Sequence, residues 1–203
     1  MASDKTEEKI FEAATEVFEE KGLTGARMQH IADRAGINKA LLHYYFRTKD
    51  QLFEAVFTKL AEKMISKFSP VMDNKMSLEE KIRFFYIEHI TFLQKNPRLP
   101  AFVINEINSN PQRIKKILNT IDIPGLWKKI IEQHGPELHK YNITEKDLPQ
   151  LMTTIVSISV FPFAAKGIFE TILSQHGITF NEYLENRKDY AADFVIRSIK
   201  KKS

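Results

Sequence analysis

The chain has 203 residues, 43% of them hydrophobic, enough to bury a real core and too many for a disordered chain. It contains no cysteine, so disulfides, thiolate metal sites and a cysteine nucleophile are excluded. The formal net charge of +4 is modest, and no apolar run approaches the roughly 18 residues of a membrane span. The first residues are charged and lack a signal-peptide core, so a cytoplasmic protein with no membrane partner is expected.

Helical periodicity runs nearly throughout, with no sustained strand-type alternation. The first helix is predicted over about 5–21, with Ile10, Ala13, Ala14, Val17 and Phe18 as its apolar stripe and Gly22 as its left-handed end. A second, about 28–35, buries Met28, Ile31, Ala32 and Ala35. Gly36 breaks it, Ile37 plugs the core and Asn38 caps a short third helix at about 39–45. On that helix Leu41, Leu42, Tyr45 and Phe46 fall on one side, and Lys39, Ala40, His43, Tyr44 and Arg47 on the other. Thr48 and Gln51 open a long helix to about 68.

Pro70 and Asn74 mark a hinge. Ser77 and Glu80 form a second capping box, which opens a helix over about 77–95. Shorter helices follow at about 99–108, 110–120 and 127–134, the last ended by Gly135 and Pro136. Thr144 caps a long, almost wholly apolar helix to about 175, with a kink at Pro162 and an end at Gly177. Thr179 and Glu182 cap the last helix, to about 200. The expected fold is all-α, with nine or ten helices. An N-terminal three-helix bundle with a helix-turn-helix occupies 1–48, and a larger helical domain occupies 49–203.

Charge is unevenly placed. Residues 1–21 hold three lysines against seven acidic residues, while residues 22–50 hold five basic residues against two acidic ones. Phosphate would repel the first helix and attract the segment after it.

Segment 9–60 resembles the N-terminal DNA-binding domain of the TetR/AcrR regulators. The residues that carry the likeness are Ile10, Ala13, Ala14, Phe18, Gly22, Ile31, Ala32, Ala35, Gly36, Ile37, Leu42, Tyr45, Phe46, Lys49, Leu52 and Phe53. Two positions depart from the family pattern. Ala26 and Arg27 stand where the family usually has a capping Thr or Ser, and His43 stands where it favours Tyr.

A helix-turn-helix places its second helix in the major groove. Asn38, Lys39, Ala40, His43 and Tyr44 are therefore the candidate groove-facing residues. Lys39 suits guanine O6 and N7, and Ala40 a thymine methyl. Arg27, Gln29 and Lys49 are candidates for the DNA backbone. One such unit reads few base pairs, so the expected partner is a near-palindromic double-stranded operator bound by a homodimer.

The resemblance implies dimerisation through the last two long helices, where Ala164, Ala165, Gly167, Ala191 and Ala192 permit close approach. It also implies a container for a small hydrophobic or amphipathic effector among the phenylalanine-rich middle helices. Candidate contacts there are Tyr86, His89, Phe102, Asn105, Glu106, Trp127, Phe161 and Phe163. A ligand-released repressor is the leading reading. The alternatives keep DNA binding with a C-terminal domain that docks another protein, or make the chain a helical small-molecule binding protein. No nucleophile elbow, phosphate-binding glycine loop or dinucleotide fingerprint is present, so neither enzymatic activity nor a cofactor or metal is expected.

Overall fold

The computed structural model describes residues 2–72, 75–120 and 123–200; within these, the side chains at 2–4, 69, 72, 113, 114, 117, 118, 120, 123, 124, 126, 127 and 130 are not described. Asn74, from the predicted hinge, lies outside the described residues. The described residues form helices and contain no strand.

The helices are α1 (Ala2–Gly25), α2 (Met28–Ala35), α3 (Lys39–Tyr45), α4 (Lys49–Lys67), α5 (Leu78–Lys95), α6 (Leu99–Ser109), α7 (Pro111–Thr120), α8 (Ile123–Lys140), α9 (Leu148–Ala164), α10 (Lys166–Ser174) and α11 (Phe180–Lys200). Short 3-10 turns stand at Ser69–Met72 and Glu145–Asp147. Two compact units result: Met1–Lys63 with Phe102–Ile121, and Met64–Ala101 with Asp122–Ser203.

In the first unit the predicted stripe of α1 is the core. Ile10, Ala13, Ala14, Val17 and Phe18 are all buried, with the Phe18 ring edge-on to Phe53 of α4 at 5.2 Å. Gly22 interrupts α1 with φ 63° and ψ 176°, a backbone region that only glycine enters without strain. The chain then makes one further turn, closed by Ala26 N–H donating to Gly22 O at 3.1 Å. α2 is pinned to α1 by a two-pronged pair: Arg34 donates to both Glu20 oxygens at 2.9 and 3.1 Å.

In the second unit α11 packs along α5 and α9, and α10 packs on both α9 and α11. The capping boxes are present. Ser77 N–H donates to Glu80 at 2.7 Å and Glu80 N–H to Ser77 Oγ at 3.3 Å, holding the Glu80 carboxyl below its usual range. Thr179 and Glu182 repeat the arrangement at the start of α11.

Beside α1, which runs past Gly22 to Gly25, two later helices depart from the sequence reading. α8 does not stop at Gly135 and Pro136 but continues to Lys140. Its last turns are held from outside. His134 and Leu138 are buried, and the Glu137 carboxylate accepts the Leu78 N–H at 3.1 Å, at the start of α5.

The predicted 144–175 helix is instead two, α9 and α10, bent by 74° around Ala165, three residues beyond Pro162. Proline removes the donor that would satisfy the carbonyl four residues earlier. Arg187 of α11 supplies it, donating to Ile158 O at 3.3 Å, and so α9 passes through Pro162 intact. Among the described residues no single helix is long and apolar enough to cross a membrane.

Candidate nucleic-acid interface and effector cavity

The nucleic-acid interface lies in the first unit. Gly36, at φ 67° and ψ 31°, takes the left-handed conformation that ends α2, its N–H serving the Ala32 and Asp33 carbonyls. Asn38 then caps α3, its side-chain oxygen accepting Leu41 N–H at 2.7 Å. This tight turn sets the rotation of α3. Leu42 is 0% exposed and Phe46 is half-buried, edge-on to Phe11 at 5.7 Å. On the opposite side Lys39 and Ala40 are exposed and Tyr44 is 82% exposed.

His43 is half-buried, with Nδ1 3.3 Å from the Arg47 carbonyl. A carbonyl only accepts, so Nδ1 carries the hydrogen and Nε2 of the neutral ring is an acceptor. Such a ring can take a hydrogen from a base amino group.

The flanking candidates have their own partners. Arg27 is the N-cap residue of α2, extended and without a side-chain cap bond, as expected where a hydroxyl is missing. Its guanidinium lies on an exposed residue. Gln29 donates to Asp33 at 2.7 Å within α2. Lys49, in the first turn of α4, donates to Ala26 O at 2.9 Å and Thr24 O at 3.3 Å. It therefore clamps the turn before α2 and holds a positive charge beside it.

The effector candidates are divided between the two units. Phe102 is buried in the first unit against Phe53 and Phe57, at ring distances of 5.6 and 6.4 Å. Asn105 is exposed, and Glu106 is buried and bonded to Asn110. The Trp127 side chain lies outside the described residues. In the second unit Phe163 is buried edge-on to Phe180, and Phe161 is mostly exposed.

Tyr86 is fully buried, and its hydroxyl has no hydrogen-bond partner; burial pushes its pKa up. Replacing Tyr86 by Phe removes that orphaned group. The expected gain is about 1 kcal/mol, or a melting temperature roughly 2–4 °C higher, measured by thermal unfolding.

His89 is buried, its Nδ1 2.9 Å from Ser159 Oγ, with the Phe85 ring 4.9 Å away. The serine hydroxyl donates to Val156 O at 2.9 Å, so the histidine N–H donates to the serine oxygen. Burial lowers the His89 pKa to about 4. The unfolded chain takes up this proton near pH 6.5, before the folded one does. The stabilisation is whole above that pH and lost as pH falls towards 4. The loss is about 3 kcal/mol, and in denaturant titrations His89→Gln should remove that part of the pH dependence.

A cavity of about 90 Å³ lies elsewhere in the second unit. Val71, Leu78, Ile82 and Phe85 form one part of its wall. Ile131 and Leu138 of α8 form another, and Leu148, Leu151, Met152 and Ile155 of α9 the third. None of these residues is among the ligand contacts expected from the sequence. Their spacing on each helix is that of ordinary core residues, so no local signal marked them.

On the last helices Ala191 and Ala192 are buried inside the unit, Ala164 and Ala165 are half-buried, and Gly167 is exposed. Large apolar side chains left at the surface here include Phe161, Ile168 (64% exposed), Ile172, Tyr190 and Phe194 (54% exposed).

Comparison with known proteins agrees with this geometry. The family described as bacterial regulatory proteins of the tetR family matches residues 10–56, which take in α2 and α3. A Bacillus subtilis (strain 168) protein named "Probable HTH-type transcriptional regulator YttP" is 25% identical over 172 residues, 83% of this chain and 82% of that protein. Two solved structures share the fold. One is a TetR-like transcriptional regulator from Rhodococcus sp. RHA1, with a TM-score of 0.69 and 18% identity over 96% of this chain and 95% of that one. The other is FadR from Bacillus subtilis in complex with stearoyl-CoA, with a TM-score of 0.67 and 17% identity over 92% and 96%. An N-terminal helix-turn-helix with its apolar side buried and the family match over residues 10–56 together give the chain a DNA-binding domain of the tetR family, that of a transcriptional regulator.

Proposed function

We propose that the protein is a dimeric repressor that binds a near-palindromic operator and is released by a hydrophobic or amphipathic small molecule. Residues 1–48 read the DNA, and residues 49–203 bind the effector and the second copy. The observation that carries the reading is the rotation of α3, with Leu42 wholly buried and Lys39, Ala40 and Tyr44 outward. Lys39 and Ala40 contact base edges, and Tyr44 and His43 contact bases or backbone near them. Arg27, Gln29 and Lys49 add backbone contacts, and Asn38 fixes the mouth of the helix.

The exposed apolar residues of α9, α10 and α11 supply the self-complementary face that a two-fold dimer needs, with Gly167 beside it and Ala164 and Ala165 at its margin. The apolar cavity favours a small effector over a docked protein, since a protein partner needs no internal space. That FadR, of the same fold, holds stearoyl-CoA supports an apolar effector. α4 is continuous from the first unit into the second and is the element through which effector binding alters the spacing of the two α3 helices.

Footprinting on the DNA flanking the protein's own gene tests the reading. Protection of a two-fold symmetric site is expected, with affinity falling with salt at a log–log slope of roughly −6. Protection of an asymmetric single half-site, or no protection, sinks it.

A further inference from the structure

α9 carries a proline in its last turn, and the way the fold accommodates it reaches the surface proposed for self-association. Pro162 is buried and offers no N–H to Ile158 O. A carbonyl shut away from water without a donor is costly, and a helix with an internal proline usually relieves it by kinking at that point. Here α9 runs on to Ala164, and the 74° bend comes only after it. The donor is Arg187 of α11, whose Nη2 lies 3.3 Å from Ile158 O.

The guanidinium is flanked by rings of its own helix, Tyr183 at 5.7 Å one turn before it and Tyr190 at 5.8 Å one turn after it. Its Nε is buried with no hydrogen-bond partner. A charged group held in this way is a poor choice for packing alone, so the bond to α9 is the use of it that the structure shows. Tyr183 carries the connection further. It stacks on Phe169 of α10 at 5.6 Å, and Phe169 meets Phe161 of α9 edge-on at 5.9 Å. Arg187, Tyr183, Phe169 and Phe161 thus join α11, α10 and α9 around the bend. The apolar residues left exposed there are Phe161, Ile168 and Ile172, with Tyr190 and Phe194 on α11.

We infer that Arg187 is a positioning residue for the dimer face: by holding Ile158 O it keeps α9 unbroken through Pro162, sets the bend at Ala165 and so keeps Phe161 and α10 in register with the exposed residues of α11. This rests on the dimer reading. Without the bond, α9 would open at Pro162, and Phe161 with all of α10 would shift against α11, dividing the face.

The test is a double-mutant cycle on the full chain with Arg187→Met and Pro162→Ala. Methionine has similar length and no donor. Alanine at 162 has an N–H and lets α9 satisfy Ile158 O by itself, which makes the arginine dispensable. Arg187→Met alone is expected to lower the melting temperature by roughly 4–8 °C, the effect of a carbonyl left without its donor. It should also raise the dimer dissociation constant at least about tenfold in sedimentation equilibrium. With Pro162→Ala present, both losses should shrink to less than half. If Arg187→Met alone does not fold, recovery of a folded dimer by Pro162→Ala upholds the inference, and failure to recover overturns it. Equal losses in both backgrounds overturn it too, since a contact made directly with the second copy would not be rescued from position 162. A wild-type dimer that Arg187→Met leaves unaffected overturns this role alone; a wild-type protein that is monomeric at every concentration overturns the dimer reading and this role together.

Discussion

Replacing Phe194 by Glu is expected to leave the protein folded, monomeric and nearly unable to hold its operator. Phe194 is 54% exposed on α11, and in a two-fold dimer every substitution occurs twice on the same face. Two carboxylates brought together and stripped of water would cost several kcal/mol, enough to move a dimer of ordinary affinity past a thousandfold weaker association. The helix itself tolerates the change, because its buried side is made by Leu184, Ala191, Ala192, Val195 and Ile196.

Sedimentation should therefore report the monomer mass while circular dichroism stays at the wild-type helix content. Operator binding should fall by at least the factor by which dimerisation weakens, since each half-site is then bound alone. Ile168→Glu on α10 should act in the same way. A Phe194→Glu protein that remains a dimer places the interface on another face.

Lys39→Ala carries the other large effect. Lys39 stands in the first turn of α3 on its exposed side, directly after the Asn38 cap, where a groove-entering helix meets base edges. A lost base contact costs about 1–3 kcal/mol per half-site. Two half-sites together amount to a loss on the order of a hundredfold or more in affinity. The loss should be concentrated at one symmetric pair of base positions.

Arg27→Ala should behave differently. It should weaken all sequences alike and flatten the salt dependence, as removal of a backbone contact does. Gel-shift titrations against a set of single-base operator variants at two salt concentrations separate the two patterns. If Lys39→Ala keeps wild-type affinity and base preference, α3 does not read the DNA.

The helix-turn-helix was legible residue by residue because everything that builds it is local. α2 and α3 begin and end at the residues that the pattern indicated, since Gly36 supplies the left-handed end and Asn38 the cap within a three-residue turn. The inward set of α3 follows from a rotation of 100° per residue, and one buried leucine then dictates what faces out. The capping boxes at Ser77 and Thr179 were equally plain, because both partners lie three residues apart.

Where long-range partners intervene, the local signal pointed elsewhere. Gly135 and Pro136 are a sound stop signal, yet α8 runs through them because buried neighbours and the Glu137 bond to Leu78 hold its last turns. Pro162 is a sound place for a kink, yet the bend comes at Ala165, because Arg187, distant in sequence, satisfies the carbonyl that Pro162 abandons.

What the amino-acid order determined by itself is therefore the helix-turn-helix segment: its helices, its turn, and the side of α3 that is left exposed. The tertiary structure alone decided where space remains between packed helices, and so that the cavity is walled by Leu151, Ile155 and their neighbours, while Tyr86, Phe102 and Phe163 are core. It likewise decided that Ala191 and Ala192 turn inward and Phe194 outward. The physical reason is that caps and stripes depend on atoms a few residues apart, whereas a void or a surface is a property of how separate helices fill volume. An apolar residue facing a void and one facing a neighbour have the same periodicity.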